Sequence, residues 1–247
     1  MDEKTMNNQL DQFTNAYTDE FKYAFDNNVM LNWYPHRILE LCPNKGRLLE
    51  LGLGHGLTTN RFSQHFEKHV VIDASSSVIK QFQAHYPDCK AEIVKCYFED
   101  FHTDELFDVI VMGFVLEHVE NPNLLLQHFK QFLSPDGRCF ITVPNGESLH
   151  RRLGYVAGLL NDLMELGASD LELGHRRLYS LSTLEDSLFQ NNYRITRKEG
   201  IFLKPLTTFQ LKSLNLDESV IQAMCTVGID YPELSCALLV EAENITK

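Results

Sequence analysis

The sequence predicts an α/β fold: a mostly parallel seven-stranded sheet with helices on both faces and a helical insertion after the fifth strand. Three observations carry this. Strand-length apolar runs and helix-length amphipathic runs alternate through the first 145 residues, the pattern of a parallel sheet covered on both sides. Glycines at 52, 54 and 56 follow the run RLLEL, as a tight strand-to-helix turn requires. The next strand run, HVVID, ends in an acid, Asp73.

Taken in order, MLNWYPHRILELC (30–42) reads as an amphipathic helix, with Pro35 suited to a first turn. RLLEL (47–51) is a short buried strand, and LTTNRFSQHF (57–66) a helix starting just past the glycines. HVVID (69–73) is the second strand, followed by the helix SSSVIKQFQAHY, whose serines suit its N-terminus. AEIVKC (91–96) and FDVIVMG (107–113) are strands three and four. NPNLLLQHFKQFL is a helix, SPDG (134–137) a turn, and RCFITVPN (138–145) the fifth strand. The stretch 146–180 breaks the alternation with two helical runs, or one long kinked one, leading into a loop rich in His and Arg. LSTLEDSLFQNN resumes as a helix, YRITRKEG and ELSCALLVEAE supply two last strands, and LTTFQLKSLNLDESVIQAM between them is helical.

The glycines let backbone approach a ligand closely at the carboxyl edge of the sheet. Their spacing is G-x-G-x-G, one residue short of the dinucleotide fingerprint, and no G-K-[ST] follows to make a phosphate loop. With strands on both sides and Asp73 at the tip of strand two, placed to accept from both ribose hydroxyls, the turn reads as a nucleoside-cofactor cradle. The bland alternative is a plain tight turn beside a solvated acid. A formal charge of −12 disfavours a nucleic-acid backbone as partner. There is no broad basic stripe, and no N-P-P-Y or D-P-P-Y tetrapeptide follows strand four. Six cysteines lie scattered without a C-x-x-C pair, which reads as buried thiols. The N-terminal MDEKTMNNQLDQF is too polar for a signal peptide and no run approaches a membrane span. The expectation is a cytoplasmic protein with no stable membrane insertion and a small-molecule acceptor; a homo-oligomer stays open.

The tracts ELGLGHG, VIDAS, CYFEDF, FDVIVMGFVLEHVENP and LSPDGRCFITVPN, in this order over residues 47–145, resemble the five motifs of the class I S-adenosylmethionine-dependent methyltransferases, a Rossmann-like fold. The resemblance implies S-adenosylmethionine as cofactor, with S-adenosylhomocysteine as product. It implies that Gly52, Gly54 and Gly56 form the cradle, that Glu50 organises it, and that Asp73, with Ala74 beside it, binds the ribose. Phe98 offers its amide and ring to the adenine, helped by an acid such as Glu99; Tyr97 stands where many members carry that acid. Carbonyls near Gly52 and Gly113 meet the cofactor's ammonium, and Phe114 lines its pocket. His118, just beyond strand four, is either a residue orienting the site or a base for the acceptor oxygen.

SLHRRLG, GHRRLYSLSTLEDSL and IFLKPLT further resemble a group of small-molecule O-methyltransferases that includes the phosphonate O-methyltransferase of dehydrophos biosynthesis. Independently, Arg151, Arg152, His175, Arg176, Arg177 and Lys204 concentrate cations after strand five of an acidic protein. Arginine suits carboxylate or phosphonate oxygens. Arg151, Arg152, Arg176, His175 and Lys204 are therefore candidate acceptor ligands, and His175 a candidate clamp or base. The plain alternative is solvated helix faces. The leader is dense in rings, and in the resembled enzymes such a leader folds over the cofactor as a lid; Tyr17 is a candidate catalytic residue, Tyr23 and Tyr34 candidate acceptor contacts.

One domain is thus expected over 1–247: a helical leader or lid (1–42), a cofactor-binding core (43–145), a helical insertion on the substrate side (146–180), and helices and strands completing the sheet (181–247). The leading function is methyl transfer to oxygen of a small, anionic carboxylate or phosphonate metabolite. The alternatives are a quinone-type phenol as acceptor, which the EHVENP region also resembles, and an inactive cofactor-binding module. No required metal is expected, because Glu117, Glu120 and Asn121 read as a solvated acidic loop.

Overall fold

A computed structural model describes residues 24–42 and 45–245. Tyr17 and Tyr23 lie outside the described residues. The chain runs α1 (Ala24–Leu41), β1 (Arg47–Leu51), α2 (Leu57–Phe62), β2 (Lys68–Ile72), α3 (Ser76–His85), β3 (Glu92–Val94), a 3-10 turn (Phe98–Asp100), β4 (Phe107–Gly113), α4 (Pro122–Lys130) and β5 (Leu133–Pro144). It continues through α5 (Leu149–Val156), α6 (Ala168–Glu172), α7 (Leu181–Gln190), β6 (Tyr193–Ile201), α8 (Thr208–Ser213), α9 (Glu218–Gly228), a second 3-10 turn (Pro232–Leu234) and β7 (Ala237–Asn244).

The sheet has seven strands in the order β3-β2-β1-β4-β5-β7-β6. β1 to β5 pair in parallel, whereas β7 is antiparallel to both β5 and β6. Alternation along each strand sends neighbours to opposite faces. Leu49 and Leu51 of β1 and Ile110 and Met112 of β4 meet Leu125, Leu126 and Phe129 of α4 and Leu184 and Leu188 of α7. Leu48, Val109 and Val111 face the other way, onto Tyr34 and Ile38 of α1, Phe62 of α2, Leu211 of α8 and Cys225 of α9. α3 covers β2 through Val78 and Phe82. The predicted α/β class and its insertion after β5 are present.

Three local readings change. α1 begins at Ala24, so Pro35 lies inside it. There it forgoes one i→i−4 hydrogen bond, and the ring is buried. SPDG is not a simple turn. The partner of β4 moves from Leu133 opposite Phe107 to Arg138 opposite Val109, so the tetrapeptide is an irregular bulge within β5. The insertion holds two short helices, and its ends are tied together: Gly146 N donates to Tyr179 O (2.8 Å) and Tyr179 N to Pro144 O (3.3 Å).

Phe129 is fully buried and meets the rings of Phe98, Phe101 and Phe132 at centroid distances of 6.4, 6.0 and 5.8 Å. Phe129→Ala is expected to lower the unfolding free energy by about 3–5 kcal/mol, the usual cost of emptying such a site, read by chemical denaturation.

Candidate active site

The strand ends converge on one cleft of about 1110 Å³ that reaches from Gly52 and Asp73 to His118 and His175. At its β1 end the backbone turns through Gly52 (φ +82°), Gly54 (φ +48°) and Gly56 (φ +78°). These left-handed conformations explain the glycines. A Cβ on Gly54 would meet no atom within 4 Å, and one on Gly52 only the Phe98 ring at 3.9 Å, so the missing side chains leave the cradle open. Gly56 is different: a Cβ there would strike Phe82 at 2.5 Å, so this glycine lets α3 pack.

The cradle is held from beneath. Glu50 is buried; Thr58 Oγ1 of α2 donates to its Oε1 (2.7 Å), and His69 Nε2 lies 3.0 Å from its Oε2. Asp73 Oδ2 accepts from Leu53 N (2.9 Å) and its Oδ1 from Ser75 N (2.8 Å). The acid at the tip of β2 is thereby fixed against the glycine turn. Phe98 and the exposed Glu99 line the same end, as do Ala74, Gly113 and Phe114. A cradle open to the cleft, an aromatic ring beside it and an acid on the adjacent strand fit a nucleoside cofactor.

Gly113 ends β4, and a Cβ on it would lie 2.4 Å from the Tyr34 hydroxyl. Tyr34 was a candidate acceptor contact, but it is 2% exposed and packs edge-on against Phe114 at 5.8 Å. Burial, then the Glu50 charge, pushes its hydroxyl far above the ordinary tyrosine range. Its place is the wall behind Gly113.

Beyond β4 the chain enters a left-handed step at Phe114 (φ +55°), held by Phe114 N donating to Thr142 Oγ1 (3.0 Å). This step carries Glu117 to full burial and His118 to the cleft. Neither Glu117 carboxylate oxygen has a hydrogen-bond partner among the described residues, and burial raises its pKa to about 7. The acid expected to be solvated is therefore the most enclosed of the site. Burial, and then the neighbouring His175, lowers the His118 pKa to about 4. The two imidazoles meet edge to face at 4.8 Å. His175 Nδ1 lies 3.2 Å from Asp170 Oδ1.

What brings His175 to His118 is Arg177. Its guanidinium donates to the carbonyls of Leu116 (2.8 Å), Val119 (2.5 Å) and Glu120 (3.0 Å), and Arg176 N donates to Glu117 O (2.9 Å). The insertion's last loop is thus laced to the loop after β4. Arg177 counted in the sequence only as one cation among six; its role as a clamp was invisible there. Asp170 was missed as well, although the run SDLELGH carried it five residues ahead of His175.

The remaining cations are engaged within the chain. Arg151 donates to the carbonyls of Gly146 (3.1 Å), Leu163 (3.0 Å) and Glu165 (2.5 Å). Arg152 turns to the Glu147 carboxylate (2.7 Å) and is not part of the cleft wall. Lys204 is buried against the Asp26 carboxylate and Thr208 Oγ1 (2.9 Å). Three of the five candidate anion ligands thus have partners within the chain, although Arg151 and Lys204 also line the cleft; of the three only Lys204 is buried, where an ammonium must satisfy its donors locally. Arg176 alone among them is exposed on the cleft and forms no ion pair among the described residues.

A family model described as a methyltransferase domain matches residues 27–198. The chain belongs to this family and has the class I methyltransferase fold. S-adenosylmethionine is its cofactor. The human mitochondrial ubiquinone biosynthesis O-methyltransferase is 29% identical over 171 residues, 66% of this chain and 45% of that protein. The rat protein of the same name is 32% identical over 171 residues, 66% of this chain and 48% of that protein. The chain therefore spans about half the length of these curated relatives. Magnesium protoporphyrin IX methyltransferase from Synechocystis PCC 6803, solved with bound S-adenosylhomocysteine, superposes with a TM-score of 0.62 over 96% of this chain and 94% of that one. At 12% identity that likeness is one of fold. No described helix is long and apolar enough to cross a membrane.

Arg177→Leu removes a set of charge-assisted hydrogen bonds, whose loss is expected to cost about 1.5–3 kcal/mol. Hydrogen exchange should quicken at the amides of 116–120 and 174–177 and remain unchanged in β1 and β2.

Proposed function

We propose that the chain transfers a methyl group to the hydroxyl oxygen of a phenolic, quinone-type acceptor. The observation that carries this is the character of the acceptor end. Two imidazoles and a buried carboxylate face it, while Arg151, Arg152 and Lys204, the cations that an anionic carboxylate or phosphonate acceptor would need, are met by the chain's own carbonyls and acids. Met30, Leu31, Leu160, Leu173 and Leu178 are among the apolar residues that line the cleft, a lining that suits an aromatic ring. The names of the two mammalian relatives agree with this reading.

When bound, S-adenosylmethionine supplies a methyl group made electrophilic by its sulfonium. The chain's part is to hold, orient and dry the reactants. Asp73 accepts from the ribose hydroxyls, Gly52 and Gly54 admit the methionine end to the backbone, and Phe98 with Glu99 flanks the adenine. Phe114, with Tyr34 behind it, closes the wall near Gly113. A phenol must shed its proton as the oxygen–carbon bond forms and the carbon–sulfur bond breaks; Glu117, His118 and His175 are the groups at this end that promote that loss. An ionised carboxylate would not need them.

One observation favours the anionic reading instead: Arg176, exposed on the cleft, offers a guanidinium to an acid oxygen. A panel of phenols, carboxylates and phosphonates, scored for methyl transfer, separates the two. The expected result is turnover of phenols, with Arg176→Ala changing kcat/KM less than threefold. Exclusive turnover of carboxylates or phosphonates, with KM raised tenfold or more by Arg176→Ala, would reject the phenolic reading.

Asp73→Ala is expected to weaken S-adenosylhomocysteine binding by about 1.5–3 kcal/mol, roughly 10- to 150-fold. Calorimetry on the folded variant checks this, and an unchanged affinity would remove Asp73 from the ribose site.

A further inference from the structure

The cleft has a second polar wall, built from parts of the chain that hold neither His118 nor His175. Asp26 of α1, Lys204 after β6 and Thr208 at the start of α8 all line the cleft, and all three are buried. β7 runs antiparallel to both β5 and β6, so β6 points the same way as β5 and delivers Lys204 to the carboxyl edge. β6 lies three places from β4 in the sheet, and a spacing of about 4.8 Å per strand puts their axes roughly 14 Å apart. This wall therefore faces the part of an acceptor remote from the oxygen beside His118 and His175.

Its hydrogen bonds close on one carboxylate oxygen and leave the other. The Lys204 ammonium donates to Asp26 Oδ2 and to Thr208 Oγ1 (2.9 Å), and the Thr208 hydroxyl donates to the same Oδ2 (2.6 Å). Asp26 Oδ1 is buried and accepts from no group among the described residues. A buried acceptor without a donor is costly, and a ligand that brings one removes the cost. The charges nearby decide which donor fits. Asp26 and Lys204 offset one another; an anionic substituent would meet Oδ1 charge to charge, and a cationic one would lie against the ammonium. His150, which also lines the cleft, adds no charge near neutral pH: burial, then the charges of Lys204 and Arg151, lowers its pKa to about 3. The Cys236 thiol, 3.9 Å from His150 Nδ1, stays protonated, because burial pushes its pKa to about 12. An uncharged donor fits this wall.

We propose that Asp26 Oδ1 accepts a hydrogen bond from a second hydroxyl of the acceptor, remote from the one that is methylated, while Lys204 and Thr208 hold the carboxylate in place. This rests on the phenolic reading and gives its substrate class: an aromatic compound with at least two hydroxyls, one of which this wall keeps. Asp26 is then a binding residue, Lys204 and Thr208 are positioning residues, and none of them takes part in the transfer. A hydroxyl held here is kept away from the sulfonium, so one methyl group is added and the second hydroxyl stays free. A methoxy or an ionised carboxylate group in the same place has no proton to give Oδ1 and is refused.

The test compares phenols that carry hydrogen, hydroxyl, methoxy or carboxylate para to the reacting hydroxyl, directly or on a short alkyl arm. In the parent protein the distal hydroxyl is expected to raise kcat/KM about tenfold or more over hydrogen and over methoxy. Asp26→Asn keeps an oxygen for Lys204 and turns an N–H to the cleft, so methoxy should then be preferred to hydroxyl. A residue that only supports the fold would lower all four together. Because that variant leaves the Lys204 charge unpaired, a second one removes both: Asp26→Leu with Lys204→Met, an apolar exchange that buried pairs often tolerate. The double variant should fold by circular dichroism, bind S-adenosylhomocysteine as the parent does, and treat hydrogen, hydroxyl and methoxy alike to within about threefold. Equal turnover of the hydroxyl and methoxy phenols by the parent, or a preference for hydroxyl that survives in the double variant, would overturn the role of Asp26. So would a loss of about tenfold or more in S-adenosylhomocysteine affinity in the double variant, which would give Asp26 to the cofactor. Acceptor binding to the S-adenosylhomocysteine complex is measured separately by calorimetry. Tighter binding of the distal hydroxyl to the parent than to the double variant, without turnover of any phenol, would overturn the phenolic reading and leave this site standing.

Discussion

The acceptor end of this protein depends on the guanidinium of Arg177. It donates to three carbonyls of the loop that follows β4, and those carbonyls belong to a backbone that has left the sheet and has no strand to pair with. A planar group with five donors suits a curved run of acceptors better than any other side chain. The bonding fixes two segments some sixty positions apart in sequence. Glu117 and His118 are set from one side and His175 from the other. Besides that tie the insertion meets the core through Arg176 N on Glu117 O and through the contacts at Asn145 and Tyr179. The imidazole pair and the buried Glu117 lie between the two segments it joins.

The cofactor end rests on a different constraint, a conformational one. Three left-handed residues within five positions reverse the chain from β1 into α2 while keeping side chains out of the space above the sheet. Asp73 then ties the neighbouring strand to the turn through Leu53 N, and Glu50 ties α2 to it through Thr58. This half is rigid because its polar groups answer one another. The other half contains a buried carboxylate, that of Glu117, whose oxygens find no hydrogen-bond partner among the described residues.

The same contrast governs what could be read from sequence. Glycine spacing, the acid at the end of β2 and the alternation of strands and helices are local signals, so the sheet and the cradle were legible. Pro35 misled because a buried proline is tolerated within a helix when the surrounding core holds it. SPDG misled because a bulge and a turn use the same residues. The cations misled more seriously. Arg151, Arg152 and Lys204 look alike as letters, but their partners are carbonyls, Glu147 and Asp26, brought near only by the fold. Glu117 sits in an acid-bearing stretch whose composition says nothing of burial. A charge's environment is a tertiary property, and single-sequence reasoning reaches it last.

The placement of β7 has a consequence for how the molecule is made. This strand comes after β6 in the chain yet lies between β5 and β6 in the sheet. As the polypeptide is synthesised, β6 emerges with no partner available, and β5 presents an open edge with buried apolar residues on both faces. Only when Ala237–Asn244 appears can it pair with both at once and complete the sheet. The glycine cradle is assembled from β1, β2 and β4, all made earlier. Such a nascent chain can form the cradle while its sheet is still unfinished, and cofactor captured at that stage would favour the correct core over the exposed edge.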